Sequence, residues 1–355
     1  MRISGGVRET MRLAGELRTR GVDARILSLW KHPNATQLTD IPGIPQIPIV
    51  DISSIYPHKV RAPFDFLALI LLYRRYLRKL KGVSGNNIPI VVLTHYSTLP
   101  FGWFTPRALR YCFLQGEEWM CVSKGPHRRA LHRFILLACS HCGVITANEY
   151  LSASMCSDGI RPVAELSIWA SPVFFSPFLN NDRPVDIVMV LRHGYIKRLD
   201  LYMRLLGQIK QSQRFTCAVI TCEDDIAGEA SKFTETCLLR PSSEEMKILF
   251  QRSKIFVLLS EREGFGLPPL EAMGSGCIPV CRDSGGVRCY MKGALEKNLI
   301  PLEASFEVIL ERLQDILSDQ EALEELSREA RQIFVDGLQE SEKKREQALA
   351  LLSSI

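Results

Sequence analysis

Short runs of consecutive apolar residues alternate with longer stretches of amphipathic spacing along the whole chain. In the first half the runs fall at Arg25–Leu29, Ile47–Ile52, Pro89–Thr94 and Val144–Thr146. In the second half they fall at Asp186–Leu191, Phe215–Thr221, Lys254–Leu259 and Cys277–Cys281. Several hold four or five apolar residues in succession, the pattern of parallel strands covered on both faces. Helical spacing occupies Val7–Arg20, Phe64–Lys81, Arg128–Cys139, Leu199–Gln211, Ser243–Arg252, Phe306–Leu317 and Ala322–Phe334. Such alternation predicts an α/β protein with parallel sheets.

The polar stretch Ser176–Pro184, with two prolines, lies near the midpoint and predicts a domain boundary. Residues 1–175 are then one doubly wound, Rossmann-like domain and residues 176–335 a second. Residues 336–355 form a charged amphipathic helix expected to pack back on the first domain. Two such domains would face each other across a cleft lined by loops at the carboxyl ends of their strands. A Gly5-Gly6 turn leads into the first helix, but only four residues precede it. The strand expected to feed that turn is therefore missing or very short, through a late start or a trimmed domain.

Composition narrows the class. With 46% hydrophobic and 23% charged residues, the chain is neither disordered nor collagen-like. The longest strongly apolar run, Phe66–Tyr73, is eight residues, and a spanning helix needs about 20. Charge is unevenly divided: residues 1–175 carry 21 Lys and Arg against 11 Asp and Glu, residues 176–355 carry 23 against 28. A basic half suits an anionic membrane or a phosphorylated acceptor. The basic residues are not interleaved with stacking aromatics in a recognisable motif, which argues against nucleic acid. The helix Phe64–Lys81 joins an apolar run to Arg74, Arg75, Arg78, Lys79 and Lys81, the make-up of a helix that lies on an anionic surface or of an ordinary domain helix with solvated charges. The eleven cysteines are scattered. Cys139-x-x-Cys142 lacks a second pair at zinc-site distance, so reduced thiols in a cytoplasmic protein are expected.

The densest chemistry is Glu261–Val280, EREGFGLPPLEAMGSGCIPV. It follows an apolar strand. Gly264 and Gly266 allow close backbone approach to a ligand, and Pro268 and Pro269 suit the first turn of a helix. The amides of Phe265, Gly266 and Leu267 would point at an anion beside the positive end of the helix dipole. Glu263 and Glu271 could both accept hydrogen bonds from vicinal hydroxyls of a ribose or a sugar. Arg192 and Lys197, five residues apart after the strand Asp186–Leu191, are placed to neutralise a diphosphate.

The segment resembles the Glu-x7-Glu motif of retaining nucleotide-sugar glycosyltransferases of family 4, which have the two-domain GT-B fold. That resemblance implies contact of Glu263 with the donor sugar and of Glu271 with the ribose hydroxyls. It implies that the Gly264–Leu267 backbone meets the sugar and diphosphate, and that Arg192 and Lys197 stabilise the leaving nucleoside diphosphate. More loosely, Gly5-Gly6 resembles the family's N-terminal loop near the donor phosphates. His95, after an apolar strand, resembles the strand-end His of the acceptor domain, where it could orient an acceptor hydroxyl or simply bond a nearby loop. Four places depart from the pattern: Leu191 stands before Arg192 in place of Gly, Gln115–Trp119 stands where the family often has a His-Asp pair, Trp169–Val173 replaces a Pro-Asn-Gly-Val-Asp turn, and Cys289 replaces a Glu.

The expected activity is transfer of a sugar, with retention, from a nucleoside-diphosphate sugar to a glycan or lipid-linked acceptor in cell-surface polysaccharide biosynthesis. No cofactor and no essential metal are expected: the donor is a co-substrate, and Glu223-Asp224-Asp225 is not the Asp-x-Asp of metal-dependent sugar transferases. The expected place is the cytoplasm, with peripheral contact at the inner face of the plasma membrane through Phe64–Lys81. The alternatives are a sugar-nucleotide epimerase on the same fold and a catalytically inactive GT-B-like binding protein.

Overall fold

A computed structural model describes residues 5–28, 49–51, 70–71, 73–75, 78, 90–95, 98–104, 109–121, 125–176, 182–234 and 236–354. Residues 1–4, ahead of the Gly5-Gly6 pair, lie outside them, as does most of Phe64–Lys81.

The chain divides into two units. One comprises residues 1–147, 151–166 and 344–355, the other residues 148–150 and 167–343. The second unit thus starts ahead of Ser176, and the reason is local packing. The Trp169 indole N–H donates to Phe334 O at 3.0 Å, Phe174 packs on Phe250, and Ser176 N–H donates to Gly274 O at 2.9 Å.

In the first unit, helix α1 (Gly5–Thr19) includes both glycines as its first residues. Strands β1 (Ile26–Ser28) and β2 (Ile49–Asp51) pair in parallel. A second parallel sheet runs in the order β3 (Ile90–Leu93), β4 (Leu109–Leu114), β5 (Gly143–Thr146), β6 (Ala164–Glu165). Between them come helices α2 (Leu99–Trp103), α3 (Pro126–Cys139) and α4 (Glu149–Ser157). Leu114, Val144, Ile135, Leu151 and Met155 are buried in one cluster between sheet and helices.

The second unit holds one six-stranded sheet. Its strands are β7 (Val185–Leu191), β8 (Cys217–Thr221), β9 (Thr236–Leu239), β10 (Ser253–Leu258), β11 (Ile278–Arg282) and β12 (Leu299–Ile300). They lie in the order β12-β11-β10-β7-β8-β9, and every pairing is parallel. Helices α5 (Leu199–Ser212), α6 (Asp224–Ala230), α7 (Ser243–Gln251), α8 (Leu267–Gly274) and α9 (Phe306–Ser318) separate or follow the strands. Local chemistry sets several of their starts. Ser242 and Glu245 form a capping box on α7, and Ser305 caps α9. Ile187, Val188, Met189, Ile255, Phe256 and Val257 are fully buried, as the continuous apolar runs require.

The last two helical patterns, Ala322–Phe334 and Glu340–Leu352, are one helix, α10 (Gln320–Ser353), of 34 residues. Gly337 sits between them and leaves room for the Trp169 ring, against which any Cβ would collide. Beyond residue 343 this helix belongs to the first unit. There Arg345, its side chain 5% exposed, bonds Glu9 at 3.0 Å and Glu16 at 2.7 Å on α1. Arg345→Ala would leave the buried Glu9 carboxylate without its cation. It is expected to destabilise the protein by about 3–5 kcal/mol, read as a lower denaturant midpoint; a midpoint equal to the parent's would contradict the role.

Candidate functional site

A parallel sheet in which strand order reverses about its first strand leaves a crevice at the carboxyl ends of the two strands flanking the reversal. In the second unit those strands are β7 and β10, which pair directly. Arg192 and Lys197 follow β7, and Glu263 follows β10, so the sheet delivers all three to the same edge.

The two loops are tied by backbone. Glu261 N–H donates to Ile196 O at 2.8 Å, and the Tyr202 hydroxyl on α5 accepts from Leu259 N–H at 2.8 Å. Lys197 ends a short 3-10 turn, Tyr195–Lys197, opened by Gly194 at φ 141°. Its ammonium donates to both Glu263 carboxylate oxygens, at 2.7 and 2.8 Å. The pair is largely shielded, with side chains 28% and 13% exposed. Arg192 is exposed and has no ion-pair or hydrogen-bond partner among the described residues. A guanidinium and a shielded ammonium thus stand at one strand end, with a carboxylate holding the ammonium.

The loop carrying Glu263 is fixed from several sides. Glu263 bridges Gly285; its N–H donates to Ser284 O at 2.9 Å, and Gly286 N–H donates to Glu263 O at 3.2 Å. The Asn148 amide, 2% exposed, donates to Gly264 O at 2.9 Å. The buried Tyr290 hydroxyl donates to Gly266 O at 2.7 Å. Burial, then the charges of Cys281 and Glu263, push the Tyr290 phenol well above its ordinary range, so it remains a donor. Gly266 adopts φ 83°, ψ 61° at the start of α8, a left-handed conformation that favours glycine. Pro268 and Pro269 follow within the first turn, where missing N–H groups leave no bond unmade. Glu271 is the fifth residue of α8 and therefore in its second turn. Phe265 is 6% exposed, its ring against Trp169 and Tyr290.

The second unit therefore gathers Arg192, Lys197, Glu263, Gly264, Phe265, Gly266, Leu267 and Glu271. Gly5, Gly6 and His95 belong to the first unit. Gly5 and Gly6 are helical rather than a turn ahead of the helix. His95 is exposed; its backbone is held by Thr98, whose hydroxyl donates to His95 O at 2.6 Å. Asn148, Tyr290 and Gly286 are additions as loop supports. The Gly285-Gly286 pair was visible in the sequence, but its close approach to Gly264 is a non-local contact without a local signal.

Residues 173–333 match the family model described as glycosyl transferases group 1. A putative glycosyltransferase 41 of Sulfolobus islandicus filamentous virus is 49% identical over 52 residues, 15% of this chain and 16% of that protein. A GDP-mannose:cellobiosyl-diphosphopolyprenol alpha-mannosyltransferase of Xanthomonas oryzae pv. oryzae is 44% identical over 45 residues, 13% of this chain and 12% of that protein. These matches thus span under a fifth of the curated relatives' length. The structure of WaaG, a glycosyltransferase involved in lipopolysaccharide biosynthesis, superposes with TM-score 0.69 at 15% identity, over 99% of this chain and 96% of WaaG. Sucrose-phosphate synthase from Thermosynechococcus elongatus superposes with TM-score 0.72 at 14% identity, over 98% of this chain and 94% of its own. Residues 173–333 thus match the glycosyl transferases group 1 model within a chain of GT-B fold.

Proposed function

We propose that this protein is a glycosyltransferase that moves a sugar from a nucleoside-diphosphate donor to a glycan or lipid-linked acceptor, with retention and without a cofactor. The observation that carries the reading is the Lys197–Glu263 contact at the β7/β10 crevice. A shielded cation and carboxylate there match the two ends of a sugar diphosphate. The cation answers the phosphates; the carboxylate accepts sugar hydroxyls. Arg192, Lys197 and the Phe265–Leu267 amides would stabilise charge developing on the departing diphosphate. The acceptor hydroxyl would attack the face the diphosphate leaves, with the leaving phosphate taking its proton. Glu271 would hold the ribose, and His95 an acceptor hydroxyl.

A panel of sugar nucleotides scored by thermal stabilisation of the full chain identifies the donor. Glu271→Ala is expected to weaken nucleoside diphosphate binding about tenfold, the loss of a charged hydrogen-bond partner. Unchanged affinity by calorimetry would remove Glu271 from the ribose role. Incubation with donor alone separates transfer from epimerisation, which needs no acceptor.

Among the described residues no helix is long and apolar enough to cross a membrane. Ile70 and Tyr73 are buried, whereas Leu71, Arg75 and Arg78 are exposed at helical spacing. One face with an apolar residue and two guanidiniums supports peripheral contact with an anionic membrane at the cytoplasmic side, as a place for a lipid-linked acceptor in polysaccharide biosynthesis.

A further inference from the structure

The ends of β7 and β8 bring an imidazole and two carboxylates within reach of a single ion. Ligand atoms of His193, Glu223 and Asp225 all lie within 4.8 Å of one another. The placement follows from sheet register. Leu191 pairs with Thr221 across β7 and β8, and His193 and Glu223 each stand two residues beyond that pair. Asp225 then comes from the start of α6. Glu223, 6% exposed, is held on two sides. Its N–H donates to Thr221 Oγ1 at 3.1 Å, and its Oε2 accepts from His193 N–H at 3.1 Å. His193 Nε2 lies 3.4 Å from the same oxygen. That is the separation of two ligands on a tetrahedral ion with bonds of about 2.0–2.2 Å. Asp225 Oδ2 is hydrogen-bonded to His193 Nε2 at 2.5 Å, closer than two ligands of one such ion stand, so an ion would replace that bond and displace the exposed Asp225 side chain by about 1 Å. Both residues face solvent, where water would complete the shell.

Carboxylates alone would suit Mg²⁺ or Ca²⁺. An imidazole among them favours a first-row transition ion. We propose that His193, Glu223 and Asp225 form a site for one divalent transition ion, Zn²⁺ by ligand type. The ion would tie the β7 loop, which carries Arg192 and Lys197, to the turn after β8. This departs from the expectation of a metal-free protein, and it stands apart from the donor assignment. In the absence of an ion the same atoms make a histidine–carboxylate hydrogen bond, so the experiment must tell an ion site from that contact.

The full chain is titrated with Co²⁺ as a spectroscopic stand-in for Zn²⁺. Visible d–d bands without thiolate charge transfer are expected, which separates this site from the cysteines. Competition by Zn²⁺ should remove the bands. His193→Ala and Asp225→Asn, both at exposed positions, should each weaken binding at least about tenfold, since even outer-shell losses cost about 10–100-fold. Metal-free melting temperatures equal to the parent's would show that the variants fold. Affinity in both variants within about twofold of the parent's, or a spectrum of thiolate-bound cobalt alone, would overturn the site.

Discussion

Turnover by the Arg192→Ala, Lys197→Ala double variant is expected to fall roughly 10²–10³-fold or more, the usual loss when preorganised charge is removed from a transition state. Negative charge grows on the leaving diphosphate as the glycosidic bond breaks. Cations at the end of β7 are therefore worth more at that moment than in the ground state. Nucleoside diphosphate affinity should accordingly fall much less than turnover. The two substitutions differ in structural cost. Arg192 is exposed and unpaired among the described residues, so its removal should leave the melting temperature unchanged. Lys197 neutralises Glu263, whose side chain is 13% exposed, so its loss leaves a shielded carboxylate without its partner. Glu263→Gln separates the two effects. It keeps Lys197 and frees it from its carboxylate, so nucleoside diphosphate should bind at least as tightly while turnover still falls, because the group facing the sugar has lost its charge. Double-variant turnover within about threefold of the parent's would show that these cations do not act on the leaving group.

The site residues were legible because each lies in a short local motif: a strand followed by Arg and Lys, a strand followed by Glu-Gly-x-Gly and two prolines. Their meeting was not. Sequence spacing places Lys197 and Glu263 at the ends of different strands, and only the adjacency of β7 and β10 turns proximity into an ion pair. The central strands of the second unit were plain from their uninterrupted apolar runs. Strand β4 escaped notice because Arg110 breaks its run; the guanidinium instead donates to Gly102 O at 2.9 Å. Strand β9 is four residues at the sheet edge, with Leu239 41% exposed, and a half-covered strand has no continuous apolar signature. The two terminal helical patterns fuse into α10 because Gly337, a usual helix breaker, is tolerated for the space it gives Trp169. Domain assignment by composition also missed that residues 148–150 join the second unit, where Asn148 reaches Gly264.

That loop support makes a second, separate expectation. Gly286→Ala should abolish ordered donor binding, whereas Gly228→Ala should be harmless. A Cβ on Gly286 would stand 2.6 Å from both Gly264 C and Phe265 Cα. These are backbone atoms, so no side-chain rotation relieves the contact. The surrounding bonds resist retreat: Glu263 is held to Ser284 and Gly286 by backbone hydrogen bonds of 2.9 and 3.2 Å. Overpacking of this kind costs about 1–3 kcal/mol, and here relief requires the Gly264–Leu267 segment to move. Displacement of a positioning element by about 1 Å lowers turnover about 10²-fold. Gly228, in α6, has nothing within 4 Å of the corresponding Cβ. Alanine there should gain stability of about 0.5–1 kcal/mol through lost unfolded-state entropy. Paired melting curves and donor titrations decide the matter. Gly286→Ala with the parent's melting temperature and donor affinity would mean that the β11 end does not hold the Glu263 loop in place, and the preorganisation argued for that loop would fail with it.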